Sequence, residues 1–208
     1  AAFQKALAYA RERRQGRAEG WDGEGMAPIV FHPDVRRMLL TMQAQIAVAR
    51  AIAYCCAHAI DMSRADEERA AHWQGRANLL TPVAKAYATD IGVDVASLGV
   101  QVHGGMGFIE ETGAAALLRD SRIAPIYEGT NGIQAIDLVT RKLPLSGGGQ
   151  VKSYIAELHA DIEALRNSNA DGFGRTAEKC AAALDDLEEA TAFLLDAQAN
   201  GRMEQALA

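Results

Sequence analysis

Two long stretches of helical periodicity constrain the fold of this chain more than any other sequence feature. In the first, over residues 33–63, apolar side chains such as Met38 and Met42 recur at helical spacing and indicate one long amphipathic helix. The second covers residues 65–103, and Pro82 predicts a kink or a break inside it. Long paired helices with little strand signal are typical of an up-and-down bundle. We therefore predict an all-α fold: an up-and-down four-helix bundle with a C-terminal helical extension.

The composition agrees with closely packed helices. Of the 208 residues, 41 are Ala and only 6% are aromatic, which favours helices over a β-sandwich or barrel. Shorter helical patterns are predicted over residues 1–18, 114–123, 131–142, 151–167 and 174–199, with glycine-rich loops over residues 20–32 and 104–113.

The charge distribution divides the chain. Residues 151–208 carry 5 basic and 11 acidic side chains, whereas residues 1–150 carry 16 of each. Between them lies a glycine-rich segment, residues 144–150, whose composition predicts a hinge. We therefore predict a helical bundle over residues 1–143 and an acidic extension over residues 151–208, which packs back onto the bundle or onto a partner subunit.

Charge and cysteine content exclude several functional classes. A formal net charge of −6 argues against nucleic acid as the main partner. The sequence has no apolar run of about 18 residues and no signal-peptide core near its first residue, so we expect no membrane span. Three cysteines do not form a disulfide framework, which favours a reducing compartment, and we expect a cytoplasmic protein. None of the five histidines pairs with another at helical spacing, so no metal site is expected.

Glu128 is the candidate catalytic residue. It lies between Tyr127 and Gly129, just before a predicted helix that begins near Asn131. The glycine permits another molecule to approach the backbone, and the free N–H groups of the helix fit an oxyanion or a phosphate. A carboxylate in this position suits abstraction of a proton bound to carbon. The same position also fits a structural role, in which Glu128 only offsets the helix dipole.

Three glycines precede this region in the pattern G-G-x-G. Gly104, Gly105 and Gly107 follow a predicted helix and not a strand, so they do not form a dinucleotide fingerprint. Two interpretations remain open. The glycines bring the backbone close to a cofactor, or they only cap the helix and start a turn.

Taken together, these motifs resemble a known family. The segments QVHGGMGF, LRDSRI and IYEGT occur in this order in the C-terminal helical domain of the flavin-dependent acyl-CoA dehydrogenases, and AYARERRQGR is similar to the helix that follows the middle domain of that family. The resemblance covers about residues 1–143. The acidic tail resembles the C-terminal extension of a longer bacterial subgroup. Because the preceding helical and β-domains of the family are missing from this sequence, we expect it to be part of a longer protein.

The resemblance implies a reaction and assigns residues to it. Glu128 matches the family's base, which removes the pro-R α-proton of an acyl-CoA thioester. The β-hydride passes to flavin N5 and a trans-2-enoyl-CoA is left. Tyr127 and Gly129 match residues that line the acyl pocket.

The resemblance also implies a cofactor and partners. Arg13 matches an arginine that reaches the FAD pyrophosphate. The other implied FAD contacts are Gln15, Gln101, Gly104, Gly105 and Thr130. The implied partners are an acyl-CoA substrate, an electron-transfer flavoprotein and further copies of the chain in a homodimer or homotetramer.

Two alternatives accompany this interpretation. In an acyl-CoA oxidase of the same fold, the reduced flavin reacts with oxygen, and peroxide is formed. In a helical oligomerisation module, the long apolar helices serve only to join subunits, without catalysis.

Overall fold

The structure, a computed structural model, describes residues 1–168 and 171–207. Residues 169–170 and residue 208, all in the predicted extension, lie outside the described residues. The described residues contain helices, turns and one isolated antiparallel bridge between Arg14 and Pro28, without a β-strand. The predicted all-α class is therefore confirmed.

The first three helices follow the periodicity of the sequence. Helix α1 covers Ala2–Glu12, α2 covers Pro33–Ala65 and α3 covers Ala70–His103. Pro33 begins α2, where its missing N–H is not needed and its fixed φ favours a helix. Helix α3 continues through the buried Pro82, so the alternative of a break between two helices is wrong.

Shorter helices follow α3. They are α4 (Gly105–Phe108), α5 (Ala114–Ser121), α6 (Asn131–Asp137), α7 (Gly149–Ser168), α8 (Thr176–Ala199) and α9 (Met203–Leu207). Single 3-10 turns cover Ile29–Phe31, Glu67–Arg69, Glu110–Thr112, Leu145–Gly148 and Asp171–Phe173, and a π-helical turn covers Leu138–Lys142. The segment predicted as a glycine-rich loop thus contains a short helix, α4, and the helix predicted to end at Lys142 changes its hydrogen-bonding pattern after Asp137.

The chain divides into two compact units. Unit 1 comprises residues 1–54 and 84–131, and unit 2 comprises residues 55–83 and 132–208. In unit 1, α1 buries Ala6 and Ala10 completely. These small residues belong to a core to which α1, α2 and α3 all contribute, and it consists of Ala6, Ala10, Ile29, Met38, Leu39, Met42, Val95 and Val102. The methionine pair predicted from periodicity is therefore buried.

Unit 2 has a core of its own. Leu79 of α3 packs with Leu143, with Val151 and Ile155 of α7, and with Leu184 of α8. The two extension helices therefore pack against residues of α3 in this unit, which is one of the two outcomes expected from the sequence.

The glycine-rich segment before α7 is a structured turn. Ser146 and Gly147 adopt left-handed backbone conformations, with φ of 55° and 64°. Gly148 is buried, and a Cβ atom there would lie 2.9 Å from Leu195 Cδ1. The hinge and the predicted domain boundaries at residues 143 and 151 stay predictions.

Among the residues that the structure describes, α2 is the one helix whose length and mean hydropathy would allow it to cross a membrane. The core helix of a soluble protein passes the same criterion, so the finding alone assigns no membrane role.

Candidate active site and cofactor site

The candidate base lies on a tight loop between α5 and α6. The backbone N–H of Tyr127 donates to the carbonyl of Ile123 (3.1 Å), and the N–H of Asn131 donates to the carbonyl of Pro125 (3.1 Å). These two bonds close the loop at both ends. Glu128 lies at its tip with an exposed side chain, and the Tyr127 side chain is half exposed.

Glu128 has an unusual backbone conformation. Its φ is 53°, and that of the following Gly129 is 87°. Glycine adopts such angles freely, but a residue with a Cβ pays about 1–2 kcal/mol for the left-handed region. Strain of this kind at a non-glycine residue is concentrated at functional sites, where the surrounding structure enforces it. The sequence pattern identified Glu128, and its conformation gives an independent reason to regard it as functional.

Side chains of helix α3 make hydrogen bonds to this loop. Lys85 Nζ donates to the carbonyl of Gly129 (2.7 Å) and to Oδ1 of Asn131 (2.9 Å). Asn131 Nδ2 lies 2.7 Å from Asp90 Oδ1 and 3.0 Å from Thr89 Oγ1. Sequence reasoning missed this set of residues because about 40 residues separate the α3 side chains from the loop they contact.

The predicted FAD contacts lie mainly at a second place in unit 1. Arg13 and Gln15 follow the end of α1, while Gln101 and Gly104 lie at the end of α3. All four line one cavity of about 370 Å³. Residues about 90 positions apart in sequence are thereby brought together.

Two histidines shape this cavity without having been predicted as site residues. His103 is buried, stacks on Tyr9 with ring centroids 4.5 Å apart, and has Nδ1 2.7 Å from the carbonyl of Gly99. His32 Nε2 lies 2.7 Å from the carbonyl of Gln15 and fixes the backbone beside that residue. His103 is therefore a packed wall of the cavity, and His32 holds one edge.

The remaining predicted contacts lie elsewhere. Gly105 begins α4 and is not among the residues that line the cavity. Thr130 lies on the loop that carries Glu128, between Gly129 and Asn131. Gly104 has a φ of 59°, and a Cβ atom at this position would meet nothing within 4 Å. The backbone at Gly104 is therefore open to a ligand.

Comparison with known proteins decides the family. The family described as "Acyl-CoA dehydrogenase, C-terminal domain" matches residues 1–143. This chain belongs to the acyl-CoA dehydrogenase family. Helix α2 lies wholly inside the match, so its apolar character is that of a helix of this domain.

Curated relatives carry the same kind of name. The chain is 46% identical over 183 residues to 3-methylmercaptopropionyl-CoA dehydrogenase of Ruegeria pomeroyi, which covers 88% of this chain and 31% of the relative. It is 37% identical over 161 residues to a butyryl-CoA dehydrogenase of Syntrophomonas wolfei, covering 76% of this chain and 26% of the relative. The first match is longer than residues 1–143, so that relative shares part of the acidic extension. The resemblance to the longer bacterial subgroup is confirmed.

Solved structures agree with this assignment. Butyryl-CoA dehydrogenase from Megasphaera elsdenii is 28% identical with a TM-score of 0.50, over 66% of this chain and 30% of that one. Acyl-CoA dehydrogenase ACDH-11 of Caenorhabditis elegans in complex with C11-CoA is 22% identical with a TM-score of 0.73, over 96% of this chain and 32% of that one, and shows the fold alone. The chain thus spans about a third of the length of the proteins it matches.

Acyl-CoA dehydrogenases are flavoproteins, and the donor set of the cavity fits part of such a cofactor. The guanidinium of Arg13 is suited to a phosphate group, and the amides of Gln15 and Gln101 can donate to or accept from polar groups of a nucleotide. The open backbone at Gly104 adds room for close approach.

Proposed function

We propose that this chain is the C-terminal domain of an FAD-dependent acyl-CoA dehydrogenase in which Glu128 is the catalytic base. Glu128 accepts the α-proton of an acyl-CoA thioester, and the thioester becomes a 2-enoyl-CoA. The bound flavin supplies the acceptor for the β-hydride. The observation that carries the proposal is the enforced left-handed conformation of Glu128 at the tip of a braced loop, inside a family domain.

The other assigned residues bind and orient. Tyr127 and Gly129 flank the base, so they are placed to line the acyl pocket, and the N–H of Glu128 is available to a thioester carbonyl. Arg13, Gln15, Gln101 and Gly104, which line the cavity, would hold the nucleotide part of FAD. Gly105, outside the cavity lining, and Thr130, beside the base, are further proposed FAD contacts. We propose that, in the full-length protein, parts outside this chain cover the exposed Glu128 carboxylate. This cover would exclude water during proton transfer.

The partners follow from the same assignment. The names of the relatives support an acyl-CoA substrate. A neighbour whose structure concerns electron-transferring flavoprotein of Acidaminococcus fermentans, 26% identical with a TM-score of 0.51, supports such a flavoprotein as electron acceptor. The exposed Leu40 and Val48 on α2 support a homodimer or homotetramer, because large apolar side chains on one helix favour burial against another subunit. We also propose a cytoplasmic location, on the evidence of the cysteine content.

The Glu128→Gln variant of the full-length enzyme tests the base. It keeps the size and hydrogen-bonding groups of the side chain but cannot accept the proton. We expect the rate of substrate-dependent flavin reduction to fall by at least about 10³-fold, while bound FAD per subunit stays unchanged. The panel of substrates includes 3-(methylthio)propanoyl-CoA and butyryl-CoA.

Glu24→Gln is the matched control. Glu24 is also exposed and also precedes a glycine of positive φ, but its own φ is not positive. We expect wild-type rates for Glu24→Gln. Rapid flavin reduction or solvent deuterium exchange at the substrate α-carbon in Glu128→Gln would remove Glu128 from the role of base.

A further inference from the structure

Besides the two backbone bonds that close it, the loop that carries Glu128 is attached to α3 by the cation Lys85. Lys85 is half-buried on α3, and two of its three ammonium hydrogens are directed to acceptors on the loop: the Gly129 carbonyl at 2.7 Å and Asn131 Oδ1 at 2.9 Å. Both are charge-assisted bonds, which are shorter and stronger than neutral ones. The Gly129 carbonyl belongs to the peptide plane that follows the two residues of positive φ. Lys85 therefore holds the peptide plane that directly follows Glu128 and Gly129, the two residues of positive φ.

Asn131 completes the attachment to α3. Its amide nitrogen lies 2.7 Å from Asp90 Oδ1, 3.0 Å from Thr89 Oγ1 and 3.1 Å from the Ala86 carbonyl. Thr89 Oγ1 also lies 2.8 Å from the Lys85 carbonyl, so its hydrogen is directed to its own helix and its lone pair is left for the Asn131 amide. The Asn131 side chain is thus held by about one turn of α3.

We infer that Lys85 and Asn131 are positioning residues, which hold Glu128 in the left-handed conformation that directs its carboxylate toward the substrate. The inference rests on the proposed role of Glu128 as base. A glutamate does not by itself favour a positive φ, so we expect the loop to relax toward an ordinary conformation when the Lys85 bonds are removed. The carboxylate then moves away from the α-proton, although the loop remains present. A misplacement of about 1 Å at a reacting group costs up to about 10²-fold in rate.

The test uses the full-length enzyme with Lys85→Met, which keeps the length of the side chain and removes the donors. We expect kcat to fall about 10–100-fold, with KM changed less than about 3-fold and FAD content unchanged. Lys85→Arg restores a cationic donor and is expected to recover part of kcat. Lys5→Met, at an exposed lysine of α1 outside this network, is the matched control and is expected to keep the wild-type kcat.

Asn131→Ala provides a second variant if Lys85→Met fails to fold. It leaves the Lys85 bond to Gly129 and is expected to lower kcat about 3–10-fold, with the KM of the wild type. A wild-type kcat in the folded Lys85→Met enzyme, or in Asn131→Ala where Lys85→Met does not fold, overturns the inference.

Glu128→Gln, measured in parallel, separates the two claims. If Glu128→Gln is inactive and Lys85→Met is fully active, the positioning role is wrong and the base assignment stands. If Glu128→Gln is active, the proposed function fails. A loss of kcat in Lys85→Met together with an equal loss of FAD or an equal rise in KM would indicate a general structural role and would also overturn the inference.

Discussion

The guanidinium carbon of Arg76 lies 4.0 Å from the ring centroid of Tyr154 and joins α3 to α7 in unit 2. Arg76 also donates to Glu157 at 2.6 Å, and its side chain is only 11% exposed. A cation–π contact contributes about 0.5–2 kcal/mol, and an ion pair whose carboxylate is half exposed adds up to about 1 kcal/mol. We expect Arg76→Met to lower the free energy of unfolding by about 1–3 kcal/mol, measured by chemical denaturation, and Arg76→Lys to recover part of it.

A second arginine provides the control for this prediction. Arg175, which directly precedes α8, pairs with Glu178 in the first turn of that helix, and its side chain is 70% exposed. Because exposed pairs of this kind contribute little, Arg175→Met is expected to leave the free energy of unfolding unchanged within the precision of the measurement. Equal losses in both variants would mean that the Arg76 contacts add nothing specific.

The Tyr154 phenol gives a prediction on pH. Burial raises the pKa of Tyr154 above its ordinary value of 10.0, and the nearby Arg76 partly offsets this rise. The folded state therefore holds the phenolic proton more tightly than the unfolded state does. The resulting contribution to the free energy of unfolding is complete below pH 10 and is lost as the pH rises through the higher folded pKa. The absorbance titration of Tyr154→Phe is subtracted from that of the wild type, and the difference should show that the Tyr154 phenolate forms above the ordinary pKa of 10.0. In the Arg76→Met background the phenolate should form at a still higher pH. A difference curve centred at or below the ordinary value would contradict the assigned cause.

The glycine pattern G-G-x-G predicts a contrast between its members. A Cβ atom on Gly107 would lie 2.3 Å from the Val100 carbonyl oxygen, and backbone atoms cannot easily yield. A Cβ atom on Gly105 would meet nothing within 4 Å, and this residue does not need a positive φ. We expect Gly107→Ala to lower the melting temperature by several degrees, equivalent to about 2 kcal/mol or more. Gly105→Ala is expected to be neutral or slightly stabilising, because it is helical. Equal melting temperatures would show that α4 can move away from α3.

The parts of this fold that the sequence predicts depend on local periodicity. The extents of α2 and α3 follow from apolar spacing, because a helix of over 30 residues buries its stripe wherever it packs. Short helices are harder to predict from the sequence, because tertiary contacts decide whether they form. Gly105–Phe108 was predicted as loop because glycines disfavour helices, but Gly107 is buried against the end of α3, and this tertiary contact outweighs the local preference.

The candidate site divides in the same way. Glu128 was found because its motif is contiguous, and Arg13, Gln15, Gln101 and Gly104 because the resemblance named them; their convergence on one cavity is a product of the fold. Lys85 could not be found from the sequence alone. Its partners are 44 and 46 residues away, and a lysine on a helix carries no local signal for a bond to a distant carbonyl.

The left-handed conformation of Glu128 predicts a reversal in the usual order of alanine and glycine. At an ordinary position, glycine is less stable than alanine by about 0.5–1 kcal/mol, because the unfolded chain gains freedom. At a position of positive φ, alanine keeps the strain and glycine removes it, which is a difference of about 1–2 kcal/mol in the opposite direction. We therefore expect Glu128→Gly to be at least as stable as Glu128→Ala, although both lack the base.

At Glu24, an exposed loop glutamate of ordinary φ that also precedes a glycine, alanine should be the more stable. Denaturation curves of the four variants give the comparison. If alanine is the more stable residue at both positions, Glu128 is not held in a strained conformation. The hydrogen bonds from α3 to its loop would then not be needed to maintain a positive φ.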